Sequence, residues 1–401
     1  MLSHEDQVRR LALSAPAAAP AAVVAGDPCF DRIVASLPLR NRYRARLGVG
    51  DRLLVYVSST WSPESAIGVR FDLIRELLAE LPRDSYAVAV AVHPNISHLH
   101  GPGQVRRWFA DCVRAGLIIL PEIDDWRTGL IAADLVVGDN GSVTGYAAAI
   151  GRPTILCAFP EVPDGTPISA LGELAPRLPA HGPLAPYLEA VLAEHEPSRY
   201  AEVADGVTSV PGRAHERLRE LFYGILDLTP PPTESAPILL PPPAEVRPAP
   251  YFADTVATRV ADDGTIHLVR RPAELQRITF PGIRPGIDVH LCCTADYPML
   301  ALRERADILV GTSADAHGDV PDWLRNTLRD NSFCEVAAIV EGDSCRALTR
   351  SGVEVTMTTG GPADLLPSVV YAWFYGGRSP AVSPVAVEAG GIRYAVEITF
   401  D

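Results

Sequence analysis

The chain has 401 residues, room for two or three domains, and its 47 % hydrophobic and 21 % charged residues are the balance of a soluble globular protein. A formal net charge of −14 argues against a nucleic-acid backbone as the main ligand. All 35 residues of the Lys+Arg set are arginine, which excludes a Schiff-base lysine and a phosphate-loop lysine.

The N-terminal stretch carries Arg9-Arg10 before an Ala-rich run. Glu5, Asp6 and two prolines argue against a signal peptide, and the stretch reads as a loop leading into a strand. From Asp51 strand and helix alternate. RLLVYVSST is the first strand. SPESAIGVRFDLIRELLAEL then reads as one helix, with Ser62 as cap, Pro63 in the first position and Ile67, Phe71, Ile74, Leu77, Leu78 and Leu81 on one face. YAVAVAVH is the second strand, and GQVRRWFADCVRA a helix closed by Gly116. LIILP, LVVGD and TILCAF are three more strands. DDWRTGLIAA is a short helix, a small-residue helix starts at Ser142, and others fall near Leu184–Glu194 and His215–Leu226.

Apolar strands separated by helices predict an α/β fold, a doubly wound parallel Rossmann-like sheet, over 51–228, preceded by an extension and crossover segment (1–50). The proline-dense stretch 229–250 predicts an extended linker. Beyond it, hairpins at Gly342-Asp343, Ser351-Gly352 and Gly390-Gly391 predict antiparallel strands. In the last of these Ile392, Tyr394, Val396, Ile398 and Phe400 share a face. The apolar segment around Leu365–Tyr375 is the helix expected to cover it, making 251–401 a small α+β domain.

Seven cysteines, an odd count without a C-x-x-C pair, fit free thiols in a reducing cytoplasm. No apolar stretch reaches the ~20 residues of a membrane span. His93, His98 and His100, or Asp315, His317 and Asp319, lack the spacing of a zinc or calcium site, so no metal is expected. No G-x-G-x-x-G supports a nicotinamide dinucleotide.

Ligands of open parallel sheets bind beyond the carboxyl ends of the strands. Three polar loops leave that edge: Ser58–Ser65, His93–His100 and Gly138–Ser142. Gly141 admits a close backbone, and Ser142 opens a helix whose free N–H groups attract an anion. Ser62 and Ser65 offer the same at the first helix. Each loop also has a plain reading: a tight turn and cap at Asp139-Asn140-Gly141, and a core histidine at His93. Trp61 and Trp126 suit base stacking or core packing.

VYVSSTW, VAVHPN and DDWRTGLIAADLVVGDNGSVTGYAAAIGRPTIL, with the crossover VVAGDPCFDRIVASLPLRNRYRARLGV, resemble the C-terminal half of GT-B-fold transferases over about 23–228. The pattern is similar to that of CDP-glycerol glycerophosphotransferases and of UDP-GlcNAc 2-epimerases. By this resemblance His93 faces the donor phosphates, Ser142 bonds the diphosphate, Asp139 anchors its loop, and Ser59 and Thr60 line the far side. The implied donor-binding set is Ser58, Ser59, Thr60, Trp61, His93, Asn95, Asp139, Asn140, Gly141, Ser142, Val143 and Thr144, with no catalytic residue assigned. Asn140 and Gly141 stand where the glycerophosphotransferase pattern has Tyr-Ser, and 251–401 belongs to neither family.

The resemblance implies a CDP- or UDP-linked donor substrate, no further cofactor, and a transferase half. The N-terminal acceptor half is expected to be separately encoded, truncated from this sequence, or supplied by a partner chain or a second copy in a homo-oligomer. The alternative is a non-catalytic nucleotide-binding or scaffold protein derived from such a transferase.

Overall fold

A computed structural model describes residues 1–121, 125–233, 236–246, 251–276, 287–375 and 384–400. The chain forms two compact units. The first comprises Met1–Ile74, Ala87–Arg107 and Ile118–Arg247, the second Arg75–Tyr86, Trp108–Leu117 and Pro248–Asp401.

The first unit is built on five parallel strands: β1 (Leu53–Ser59), β2 (Tyr86–Val92), β3 (Ile118–Ile119), β4 (Leu135–Gly138) and β5 (Thr154–Leu156). Their order is β3-β2-β1-β4-β5, which puts the topological switch between β1 and β4. Register is set by Val55 opposite Leu135 and Val137 opposite Ile155. Every residue of β2 and β4 is buried, as in a sheet covered on both faces.

Several helices differ from expectation. The single helix expected from Ser62 to Leu81 is two, Ala66–Val69 and Leu73–Glu80, broken at Arg70 (φ −134°, ψ 76°). Ser65, not Ser62, caps the first, its Oγ accepting from Gly68 N at 3.1 Å. His93–His100 is not an open loop: Pro94–His100 is a helix capped by His93. The N-terminal stretch holds a helix, Glu5–Ser14, started by a His4/Gln7 capping box. The proline-rich segment is extended yet pinned. Leu240 is buried, its N–H bonds Ser36 Oγ at 2.9 Å, and its carbonyl accepts from Tyr43 Oη at 2.8 Å.

The second unit corrects the expectation of a small α+β domain. Its strands are β6 (Ala253–Val260), β7 (Ile266–Pro272), β8 (Asp288–Thr294), β9 (Ile308–Gly311), β10 (Val336–Glu341), β11 (Ser344–Thr349), β12 (Glu354–Thr359), β13 (Val385–Ala389) and β14 (Ile392–Phe400). They close into a nine-stranded barrel ordered β10-β11-β12-β14-β13-β7-β6-β8-β9. β9 pairs with both β8 and β10 in parallel, and β13 with β7; the other neighbours are antiparallel.

The reason lies in the helix Leu366–Tyr375. Its sequence, LPSVVYAWFY, is apolar nearly all round, and Leu366, Pro367, Ser368, Val369, Val370 and Ala372 are all buried. One sheet face covers only one side of such a helix. Here the sheet curls about it, so that it packs against strands β6 to β12. Small inward residues, Ala338, Ala347 and Cys345, leave it room. Leu324 and Leu328 of a second helix, Val320–Asp330, cover the other face of this wall at Cys293, Leu309 and Ala337.

Buried polar side chains, Arg270 and His290 among them, interrupt the apolar interior. Arg270 on β7 bonds Asp84 (2.6 and 3.0 Å) and pairs with Asp364 (2.9 Å). These carboxylates raise its pKa against the opposing effect of burial. His290 on β8 shares a 2.9 Å hydrogen bond with Ser368 Oγ and lies against Tyr371, ring centroids 4.3 Å apart. All seven cysteines are free thiols. Among the described residues no helix is long and apolar enough to cross a membrane.

Candidate functional site at the carboxyl edge of the sheet

β1 and β4 are neighbours, so their outgoing loops meet. The link is Asp139, fully buried just past β4. Its Oδ2 accepts from Thr60 N (2.8 Å), Thr60 Oγ1 (2.8 Å) and Ala66 N (3.0 Å), and its Oδ1 from Gly141 N (3.0 Å). A side chain at Gly141 would press on Thr60 Cγ2 at 2.8 Å, so glycine is what lets the loops approach.

These contacts decide which helix tip is open. At Ala66–Val69, Ala66 N is taken by Asp139, Ile67 N by Ser59 Oγ (3.1 Å) and Gly68 N by Ser65 Oγ. The first helix is therefore no anion seat, contrary to the sequence expectation for Ser62 and Ser65. The helix Ser142–Ala149 differs. Its N-cap, Gly141, has no side chain to offer, and Gly145 N already bonds Gly141 O as the first intrahelical bond. The N–H groups of Ser142, Val143 and Thr144 lie ahead of that ladder, with a partial positive charge and no side-chain cap.

The other expected residues fall into place around this tip. Ser142 is exposed, Asn140, Gly141 and Val143 are half-buried, and Ser58 is buried within β1. Thr144 is wholly buried, its Oγ1 without a hydrogen-bond partner, in space left by Gly138. His93 closes β2, the strand beside β1. Its Nδ1 accepts from Asn95 N at 3.1 Å, so the neutral ring carries its proton on Nε2. The Asn95 main chain is thus committed to that cap. Trp61 is 52 % exposed.

Residues outside the expected set hold the tip in place. Tyr146, one turn into the helix, donates from Oη to Asp27 Oδ2 at 2.6 Å. Burial, reinforced by that carboxylate, raises the tyrosine's pKa. Its ring stacks between Phe30 and Trp126, with centroids 5.7 and 6.3 Å away. Trp126 therefore packs in this stack. Asp31, buried, accepts from Gly212 N (2.7 Å) and Ala214 N (2.9 Å), tying the crossover helix Pro28–Ser36 to the helix Ala214–Ile225. The spacing Gly26-x-Pro28-x-x-Asp31 carries that signal, though in the sequence it marks only a crossover. Among the described residues no cluster of His, Cys, Asp and Glu has a metal-holding arrangement.

No protein-family model matches the chain, and no curated protein matches it. Among solved structures it is similar to the wall teichoic acid polymerase TagF, at 16 % identity and a TM-score of 0.34, over 50 % of this chain and 51 % of that one. It is similar to a glycosyltransferase from Rickettsia africae ESF-5 at 10 % identity and a TM-score of 0.34, over 57 % and 63 %. It is also similar to Anabaena Alr3699/HepE in complex with UDP and glucose, at 16 % identity and a TM-score of 0.29, over 47 % and 52 %. The chain spans about half the length of the TagF and HepE structures.

Proposed function

We propose that the first unit binds a nucleoside-diphosphate-activated donor, CDP- or UDP-linked, and serves as the donor-binding half of a GT-B-type glycosyl- or glycerophosphotransferase. The observation that carries this reading is the uncapped tip at Ser142–Thr144, held at the switch point by Asp139 while the neighbouring tip is closed. Main-chain N–H groups and the Ser142 hydroxyl hold linked phosphates without lysine. The His93 Nε2–H, at the end of β2, adds a donor from the other side of β1. In a complete site the same groups stabilise the diphosphate as it leaves, the charge growing where the N–H groups already point.

A second reading, a nucleotide-binding scaffold without turnover, draws support from Asp139. The one carboxylate of the expected set is buried and accepts from four donors, which commits it to holding the two loops together. His93 is then the one titratable group of that set left for acid–base work.

The test is a thermal-shift and calorimetric titration with CDP, UDP, CDP-glycerol and UDP-GlcNAc. At a hundredfold excess over Kd the bound form gains about 2.7 kcal/mol. Ser142→Glu puts a negative charge on the tip and should abolish the gain while leaving the melting point of the free protein near wild type. Absence of stabilisation by every nucleotide at millimolar concentration overturns the reading. Binding without release of CMP or a nucleoside diphosphate favours the scaffold.

A further inference from the structure

The segment 236–246 has no helix or strand of its own and lies along two helices of the first unit, Pro28–Ser36 and Arg40–Arg46. Its burial repeats every third residue. Leu240 and Pro243 are buried, and Pro237 and Val246 are half-buried in the same register. Ile238, Leu239, Pro241, Ala244 and Glu245 are exposed, with Pro242 half-buried. Three residues per turn is the repeat of a polyproline-II helix, the conformation that consecutive prolines favour. One edge of that helix is seated on the protein.

A polyproline-II helix makes no hydrogen bonds within itself, so its carbonyls are free for a receptor. Three of them are met by side chains of the two helices. Arg32 donates from Nε to Ile238 O (2.8 Å), Tyr43 from Oη to Leu240 O (2.8 Å) and Arg46 from Nε to Pro243 O (3.3 Å). The segment's own N–H groups are met as well: Leu240 N donates to Ser36 Oγ and Val246 N to Arg46 O, each at 2.9 Å. Between these contacts Leu240 joins the core cluster of Ile33, Tyr43 and Leu47. An apolar socket flanked by donors to main-chain oxygens reads backbone conformation and spacing. It asks for an aliphatic residue with a proline three places on. Ile238 and Leu239 are 72 % and 49 % exposed, so the leading end of the seated segment is open to a competitor.

We propose that helices Pro28–Ser36 and Arg40–Arg46 form a polyproline-II docking groove, filled in cis by residues 237–246, that takes a proline-rich segment of another protein in exchange. The seated segment shows what the groove accepts: an extended chain with the pattern of Leu240-x-x-Pro243.

The test uses the full chain and a fluorescein-labelled peptide of residues 237–246, read by anisotropy. In wild type the tethered segment competes at a millimolar effective concentration, so the peptide should bind weakly. Leu240→Ser empties the socket and should bind the peptide about tenfold more tightly or better. Pro241→Gly with Pro242→Gly keeps Leu240 and Pro243 but loosens the segment. It should tighten peptide binding several-fold, and it carries the test if the serine variant does not fold. Tyr43→Phe added to Leu240→Ser should weaken peptide binding about three- to tenfold, through the lost bond to the Leu240 carbonyl. A peptide with glycine in place of its three consecutive prolines should bind neither variant. Millimolar peptide bound by neither variant, or bound equally by wild type and both variants, overturns the proposal. A wild-type dimer in light scattering that becomes monomeric in Leu240→Ser gives the groove to the segment of a second copy, which overturns its assignment to another protein.

Discussion

Removing the Asp139 carboxylate should be the most damaging single change at the carboxyl edge. Asp139→Ala leaves Thr60 N, Thr60 Oγ1, Ala66 N and Gly141 N without an acceptor. A hydrogen bond to a charged group contributes about 1.5–3 kcal/mol, so four of them set a ceiling near 6–12 kcal/mol. The loss stays below that ceiling. Thr60 and Gly141 are half-buried and can turn to water, whereas Ala66 is fully buried and bears the whole penalty. About 3–5 kcal/mol is expected for alanine. Asp139→Asn keeps one oxygen for the Thr60–Ala66 side but turns an amide donor towards Gly141 N, so it should cost about 1–3 kcal/mol. Urea unfolding followed by tryptophan fluorescence and circular dichroism measures both. An alanine variant within about 1 kcal/mol of wild type would refute the argument that this carboxylate holds the two loops together.

Two further predictions concern the barrel. Burial pulls the His290 pKa from 6.5 down to about 3, so its folded-state pKa lies below the unfolded one. Its contribution to stability is whole above about pH 6.5 and is lost progressively as pH falls towards 3, at up to ~1.4 kcal/mol per unit. Between about pH 6.5 and 5, ahead of most carboxylates, His290→Phe should flatten the stability profile; an unchanged slope would show that the histidine takes no part. Arg270→Met strands Asp84 and Asp364, and should cost about 3–5 kcal/mol in a melting or urea experiment. A loss under about 1 kcal/mol would mean that the carboxylates find water on their own.

The five strands of the first unit were legible because each is a short apolar run between breakers, and parallel strands buried on both faces leave that mark. The helix at Ser142 was legible from its small residues. What sequence reading missed were choices made by contacts distant in the chain. Asp139 and Ser59 fix where the helix after β1 starts, drawing Ala66 N and Ile67 N, so the expected cap at Ser62 lost to Ser65. His4 and His93 both cap helices through Nδ1, a role that the usual Ser, Thr, Asp and Asn signals do not flag. The barrel was misread because alternation along β6–β14 reports that one face is covered, not whether the sheet curls shut. The clue was the helix Leu366–Tyr375, too apolar on every side for one flat face.

The seat of β14 within the ring has a consequence for synthesis. This strand lies between β12 and β13, and the helix that fills the lumen precedes it in the chain. While a ribosome still holds residues 392–400, the lumen helix has an open wall on one side. Closure of the ring therefore waits until that stretch has cleared the exit tunnel, and until then a chaperone has an apolar slot to shield.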